Sequence, residues 1–244
     1  MFTVALIGPD GAGKTTIGRR LERSLPFRVK YLYMGVSADS SNVLLPTTRL
    51  RRALRRGPER RTSSVSPAAA SPGRRVLGAA RAAARLVNRL GEETFRQLVT
   101  WYHLQRGRVV IFDRHFYPDY YVHDVAVNRA SLSWARRVHG FFLARLYPKP
   151  DLHILLDAPA EVLHARKPED TVEALERRRR EYFAFMATTP SLAVVDASRP
   201  VDEVAREVEG LILQFERVRR GTGADGTPPA PALCSAGPPT SEDA

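Results

Sequence analysis

The sequence predicts an α/β fold in which a parallel sheet carries helices on both faces. Three observations lead there. Short apolar runs of strand type alternate with longer stretches of helical period along the chain, and such alternation builds βαβ units. Several of these runs end directly in Gly or Asp, as strands do where they leave a sheet for a ligand-facing loop. The first run, Val4–Ile7, passes straight into Gly8-Pro9-Asp10-Gly11-Ala12-Gly13-Lys14-Thr15, which fits G-x-x-x-x-G-K-[ST] at every fixed position.

The elements follow in order. After the glycine loop, Ile17, Leu21 and Leu25 recur at helical spacing on one face. Phe27 to Met34 reads as a second strand closed by Gly35, and Ser37 to Pro46 as a loop. Residues 49–75 hold nine arginines against one acid, Glu59, with Gly-Pro and Ser-Pro breaks and few large apolar residues. They are read as a mobile insertion outside the core: a solvated linker, or a contact for an anionic partner such as polyphosphate, nucleic acid or a membrane surface. No aromatic residues interleave there to stack on bases. Val76 to Gln105 turns helical, with a break possible at Gly91; Phe95, Leu98, Val99 and Tyr102 share a face. Arg108–Phe112 is a buried-type strand that ends in Asp113-Arg114-His115. Leu132–Leu146 is an apolar helix, Leu152–Leu156 a strand ending at Asp157, and Val172–Met186 a basic helix. Leu192–Val195 is the last strand, before Asp196-Ala197-Ser198-Arg199-Pro200 and a helix from Val201 to about Phe215. One domain over 1–218 results, with 219–244 a disordered tail rich in proline and glycine.

The net charge is +12, and Lys14, Lys30, Lys149 and Lys167 are the only lysines. The single cysteine, Cys234, leaves no intrachain disulfide or cysteine metal site. Nothing ahead of the first strand resembles a secretory leader, and no apolar run reaches the roughly 20 residues of a membrane span. A cytoplasmic protein is expected.

In open parallel sheets ligands bind beyond the carboxyl ends of the strands. Asp10, Asp113, Arg114 and Asp157 should therefore border one cleft. The glycine loop turns backbone N–H groups onto phosphate oxygens, Lys14 reaches the β- and γ-phosphates, and the Thr15 hydroxyl holds Mg²⁺. Asp113 can order Mg²⁺ or a metal-bound water, or accept a proton from an attacking hydroxyl. Arg177 to Arg180 span every helix face, so most of them are read as solvated. Tyr117, Tyr120 and Tyr121 can stack on a ligand ring or simply pack, and the histidines show no ligand spacing.

Gly-Pro-Asp-Gly-Ala-Gly-Lys-Thr-Thr, Gly-Arg-Val-Val-Ile-Phe-Asp-Arg-His, Pro-Asp-Leu-His-Ile-Leu-Leu-Asp-Ala-Pro-Ala-Glu-Val and Val-Val-Asp-Ala-Ser-Arg-Pro-Val-Asp-Glu-Val together resemble the thymidylate kinase family. The likeness covers about residues 1–25 and 107–212. It implies a three-layer P-loop fold of nucleoside-monophosphate-kinase type and transfer of the γ-phosphoryl group from ATP·Mg²⁺ to a small, nucleotide-like acceptor. By this resemblance Gly8 to Thr16 and Ser198-Arg199 bind ATP, Thr15 and Asp113 hold the metal, and Asp10 lies close to the acceptor's sugar. Arg114 would grip the acceptor's phosphate. Glu161 to Tyr182 would be a mobile lid bearing a catalytic Arg166, since the phosphate loop itself contains no arginine. A homodimer is one partner state left open. The likeness stops where the acceptor is read: Tyr33-Met34-Gly35-Val36-Ser37 stands in place of the family's Arg-Glu-Pro stretch, and no counterpart of its thymine-lining helix is found between Leu86 and Gln105. Two alternatives stand beside a nucleotide or nucleoside kinase: a kinase of the same fold acting on a sugar, glycan or other metabolite, and a non-kinase P-loop NTPase. The last is disfavoured by the lack of an Asn-Lys-x-Asp signature and by Asp-Arg in place of Asp-Glu after the strand.

Overall fold

A computed structural model describes residues 1–35, 45, 72–115, 134–145, 147–186 and 192–221. Five strands form one sheet, β1 (Thr3–Ile7), β2 (Val29–Tyr33), β3 (Val109–Asp113), β4 (Leu152–Asp157) and β5 (Leu192–Asp196). Every pairing is parallel, in the order β2-β3-β1-β4-β5. Between and after them run α1 (Lys14–Ser24), α2 (Pro72–Gln105), α3 (Trp134–Arg145), α4 (Ala160–Arg166), α5 (Val172–Met186) and α6 (Val201–Gly221). The expected α/β P-loop architecture is the one observed.

Strand side chains alternate between faces, so each strand feeds two cores. Val4, Leu6, Ile111, Ile154 and Val195 pack on one side with Ile17 and Leu21 of α1, Leu163 of α4 and Val208 and Ile212 of α6. Ala5, Ile7, Val110, Phe112 and Leu155 pack on the other with Tyr182 and Phe185 of α5. The central strands β1, β3 and β4 are buried on both faces, which is why they read as near-continuous apolar runs. The order also has a consequence for ligands. The chain leaves β1 for β2 on one side and leaves its neighbour β4 for β5 on the other, and a crevice opens beyond their carboxyl ends.

Element edges differ from the sequence pattern at the last helix and along α2: α6 runs to Gly221, past the expected end at about Phe215 and into the first residues of the expected 219–244 tail. The helix expected from Val76 begins at Pro72, since proline suits a first helical turn where its missing N–H is no loss. It runs on to Gln105 without a break at Gly91. The face shared by Leu98 and Tyr102 is also largely exposed, while Glu93, Arg96 and Thr100 form a buried polar stripe. Arg96 donates to the carbonyls of Met34 (2.8 Å) and Gly35 (3.0 Å), and Glu93 accepts from His139 of α3 at 2.7 Å. Among the described residues no helix is long and apolar enough to cross a membrane. Residues 49–71 of the arginine-rich stretch, Tyr117, Tyr120, Tyr121 and the tail beyond 221 lie outside the described residues.

Candidate active site

The loop after β1 bends back over the sheet. Gly8 has φ +139°, and a Cβ there would meet the Leu156 carbonyl oxygen at 2.2 Å, so only glycine fits between β1 and β4. Gly13, at φ 83°, leads into α1, which begins at Lys14. The Lys14 side chain is buried, and its Nζ donates to the carbonyls of Gly8 (2.8 Å) and Pro9 (2.6 Å). The loop's own carbonyl oxygens thus hold the Lys14 ammonium in place.

The period of two along β3 sets Asp113 on the same side as Val109 and Ile111, facing α1. There its Oδ2 accepts from the Thr15 hydroxyl at 2.5 Å and from the Tyr31 hydroxyl at 2.6 Å. Asp113 is fully buried, and its Oδ1 has no hydrogen-bond partner among the described residues. A buried carboxylate oxygen without a donor, beside a threonine hydroxyl, fits a hard cation such as Mg²⁺, which takes one or two protein oxygens and completes its shell with phosphate and water.

Arg114 follows in the left-handed region, φ 63°, the one described non-glycine residue with positive φ. Its N–H bonds the Leu6 carbonyl at 3.1 Å, which continues the β1 ladder and holds the strained turn. The side chain is thereby aimed at Asp10, to which Nη2 donates. Arg178 approaches the other Asp10 oxygen at 3.5 Å and also donates to Asp170 at 3.0 Å. Burial pushes the Asp10 carboxyl up, but Lys14, Arg114, Lys167 and Arg178 together hold it below its ordinary value. The Lys167 ammonium is itself raised, first by its hydrogen bond to Glu169.

Asp10, Gly11, Gly13, Lys14, Thr15, Thr16, Asp113, Arg114 and Arg166 line one open cleft of about 590 Å³. Arg19, Tyr31, Tyr33 and Lys167 complete it. Gly8, Pro9 and Ala12 are not among its lining residues. Ser198 and Arg199 stand outside it, in the turn after β5. There the Ser198 N–H and hydroxyl both donate to Asp196 Oδ1, at 2.9 and 2.6 Å, and Arg199 pairs with Glu207. Arg166 joins the two regions: it lines the cleft while donating to the carbonyls of Ala197 (2.7 Å) and Ser198 (3.1 Å). Asp157, expected near the cleft, instead takes a two-point hydrogen bond from Arg179, at 2.8 and 2.7 Å.

Sequence reasoning missed Tyr31 and Arg178. A tyrosine in a buried strand reads as packing, and no local signal tells which carboxylate it meets. For the arginine run the expectation of a mostly solvated face needs correcting. Arg177 and Arg180 are exposed, but Arg178 and Arg179 reach carboxylates on other elements.

No protein-family model matches the chain. It is similar to proteins named "Probable thymidylate kinase". One from Archaeoglobus fulgidus is 32% identical over 124 residues, 49% of this chain and 60% of that protein. Another from Staphylothermus marinus is 29% identical over 119 residues, 46% of this chain and 56% of that protein. A third, from Pyrobaculum aerophilum, is 29% identical over 225 residues, covering 90% of this chain and all of that protein. In the first two the match spans little more than half of the relative's length. The chain is thymidylate kinase-like in sequence.

Proposed function

We propose that this thymidylate kinase-like chain is an ATP-dependent phosphotransferase that moves the γ-phosphoryl group to a small, nucleotide-like acceptor carrying a phosphate. The observation that carries the reading is a convergence in one cleft: Lys14, the Thr15–Asp113 pair and Arg114, each at the carboxyl end of a strand or the start of α1. Phosphoryl transfer passes through a loose transition state, so positioning and charge supply nearly all of the catalysis. Lys14 would exchange the Gly8 and Pro9 carbonyls for β- and γ-phosphate oxygens. Thr15 Oγ1 and Asp113 would hold Mg²⁺, which when bound neutralises charge building on those oxygens. Arg114 would trade the Asp10 carboxylate for the acceptor's phosphate, with a guanidinium fork suited to it. Asp10, released, stands close to the acceptor's sugar. Arg166 would leave the Ala197 and Ser198 carbonyls to reach the transferring group, and Ser198 and Arg199 would line the adenine.

The test is a panel of nucleoside monophosphates (thymidine monophosphate among them), nucleosides, sugars and sugar phosphates, each incubated with ATP·Mg²⁺ and read as ADP formed. ADP that depends on a nucleoside monophosphate, and that disappears in Lys14→Ala, is the expected result. ADP release indifferent to every acceptor would make the chain a P-loop hydrolase. Turnover with an unphosphorylated sugar alone would replace the nucleotide-like acceptor.

A further inference from the structure

Tyr31 has no role in the motifs that define the cleft, yet it makes one of the site's shortest contacts. Parallel pairing sets Tyr31 level with Ile111 and Tyr33 level with Asp113. Alternation then turns Tyr31 toward α1, onto the side that carries Ile111 and Asp113. The ring lies against α1 at Gly18, where a Cβ would stand 2.7 Å from Tyr31 Cε2 and 2.8 Å from Cδ2. Glycine weakens a helix interior, and here it makes the room the phenol ring needs. With the ring seated there, the hydroxyl donates to Asp113 Oδ2 at 2.6 Å, the oxygen that also accepts from Thr15 at 2.5 Å. Tyr31 and Asp113 are both buried, so this hydroxyl meets the carboxylate away from bulk water, whereas the Thr15 donor stands at the exposed mouth of the cleft.

We propose that Tyr31 is a positioning residue: with Thr15 it saturates Oδ2 of Asp113, fixing the carboxylate so that Oδ1 is the oxygen left to act. The inference rests on the phosphotransfer reading of the cleft and extends it, since the motifs assign Thr15 and Asp113 but no third group. The physical reason lies in the carboxylate's last torsion, which is broad and nearly two-fold. One donor leaves the two oxygens able to exchange; two donors from different elements, α1 and β2, define one orientation. The Gly18 notch then couples the start of α1 to the end of β3 through the ring.

Tyr31→Phe keeps the ring against Gly18 and removes only the hydroxyl. Calorimetry of ADP binding should show the affinity in Mg²⁺ falling about 10–100-fold, as for other partners that orient a ligating carboxylate. ADP affinity in chelator should match the wild type. With the best acceptor, kcat should fall by a similar factor while the acceptor KM stays put. Gly18→Ala is the second variant, because its new methyl pushes the ring away from α1. It should show the same Mg²⁺-specific loss, and the double variant should be no worse than Tyr31→Phe alone. Unchanged ADP·Mg²⁺ affinity in Tyr31→Phe overturns the proposal, as does an equal loss with and without Mg²⁺. A wild type that binds ADP·Mg²⁺ yet phosphorylates no acceptor overturns the kinase reading instead, and the calorimetric comparison still decides the role of Tyr31.

Discussion

Arg179→Met should destabilise the protein far more than the same change at its neighbour Arg177. Arg179 donates through Nε and Nη2 to the two oxygens of Asp157 at the end of β4, and through Nη1 to Glu176 at 2.7 Å. The Asp157 pair is largely shielded, with side-chain exposures of 16% and 13%, whereas Glu176 is 40% exposed. An i,i+3 pair on an exposed helix face contributes about 0.3–0.5 kcal/mol. Breaking a buried pair by removing one partner costs about 3–5 kcal/mol, because the remaining charge is left without compensation. Residual solvent access lowers that to roughly 3 kcal/mol for Arg179→Met. In a domain of this size each kcal/mol moves Tm by about 2–4 °C, so a fall of about 6–12 °C is expected. Arg177 is exposed and should change stability by no more than about 0.5 kcal/mol. Differential scanning calorimetry of both variants, with Asp157→Asn and the Arg179→Met/Asp157→Asn double variant, closes a cycle. Equal Tm values for Arg177→Met and Arg179→Met would refute the assignment of Arg179 as the tie between α5 and the sheet.

Other substitutions probe the cleft. Arg114→Ala should raise the acceptor KM and lower kcat in steady-state assays while ATP affinity stays the same; equal weakening of ATP binding would move Arg114 to the donor side. Arg166→Ala should lower kcat by about 10³-fold or more if its guanidinium meets the transferring group, and stopped-flow turnover within about threefold of wild type would dismiss that role. Asp10 contributes to acid stability with a definite sign. Its folded pKa lies below 3.8, so its contribution is complete above the unfolded value and is lost as pH falls through the folded one. Asp10→Asn should therefore flatten the acid limb of a Tm-against-pH curve below about pH 4 and leave the curve's shape between pH 6 and 8 unaltered. An unchanged acid limb would show that the cations around Asp10 do not act on it.

What the sequence determined by itself is whatever local chemistry encodes. Unbroken apolar runs specify strands covered on both faces, and Gly8 with Gly13-Lys14-Thr15 specifies a tight glycine turn that leads straight into a helix start. Asp113 and Arg114 were legible because a strand's last residue and the one after it must emerge at the sheet's ligand-binding edge. The partners of long polar side chains were decided only by tertiary structure. Tyr31 meets Asp113 across 82 positions of sequence, Arg96 reaches Met34 across 62, and Glu93 meets His139 across 46. The helical period of α2 pointed to Leu98 and Tyr102, yet Glu93, Arg96 and Thr100 face inward: carbonyls and a histidine on other elements meet Arg96 and Glu93, and the Thr100 hydroxyl donates to the Arg96 carbonyl of its own helix. A pattern of hydropathy cannot hold such information. Burying a polar group costs several kcal/mol without a partner and little with one, and the partner's position is fixed by strand register and helix packing.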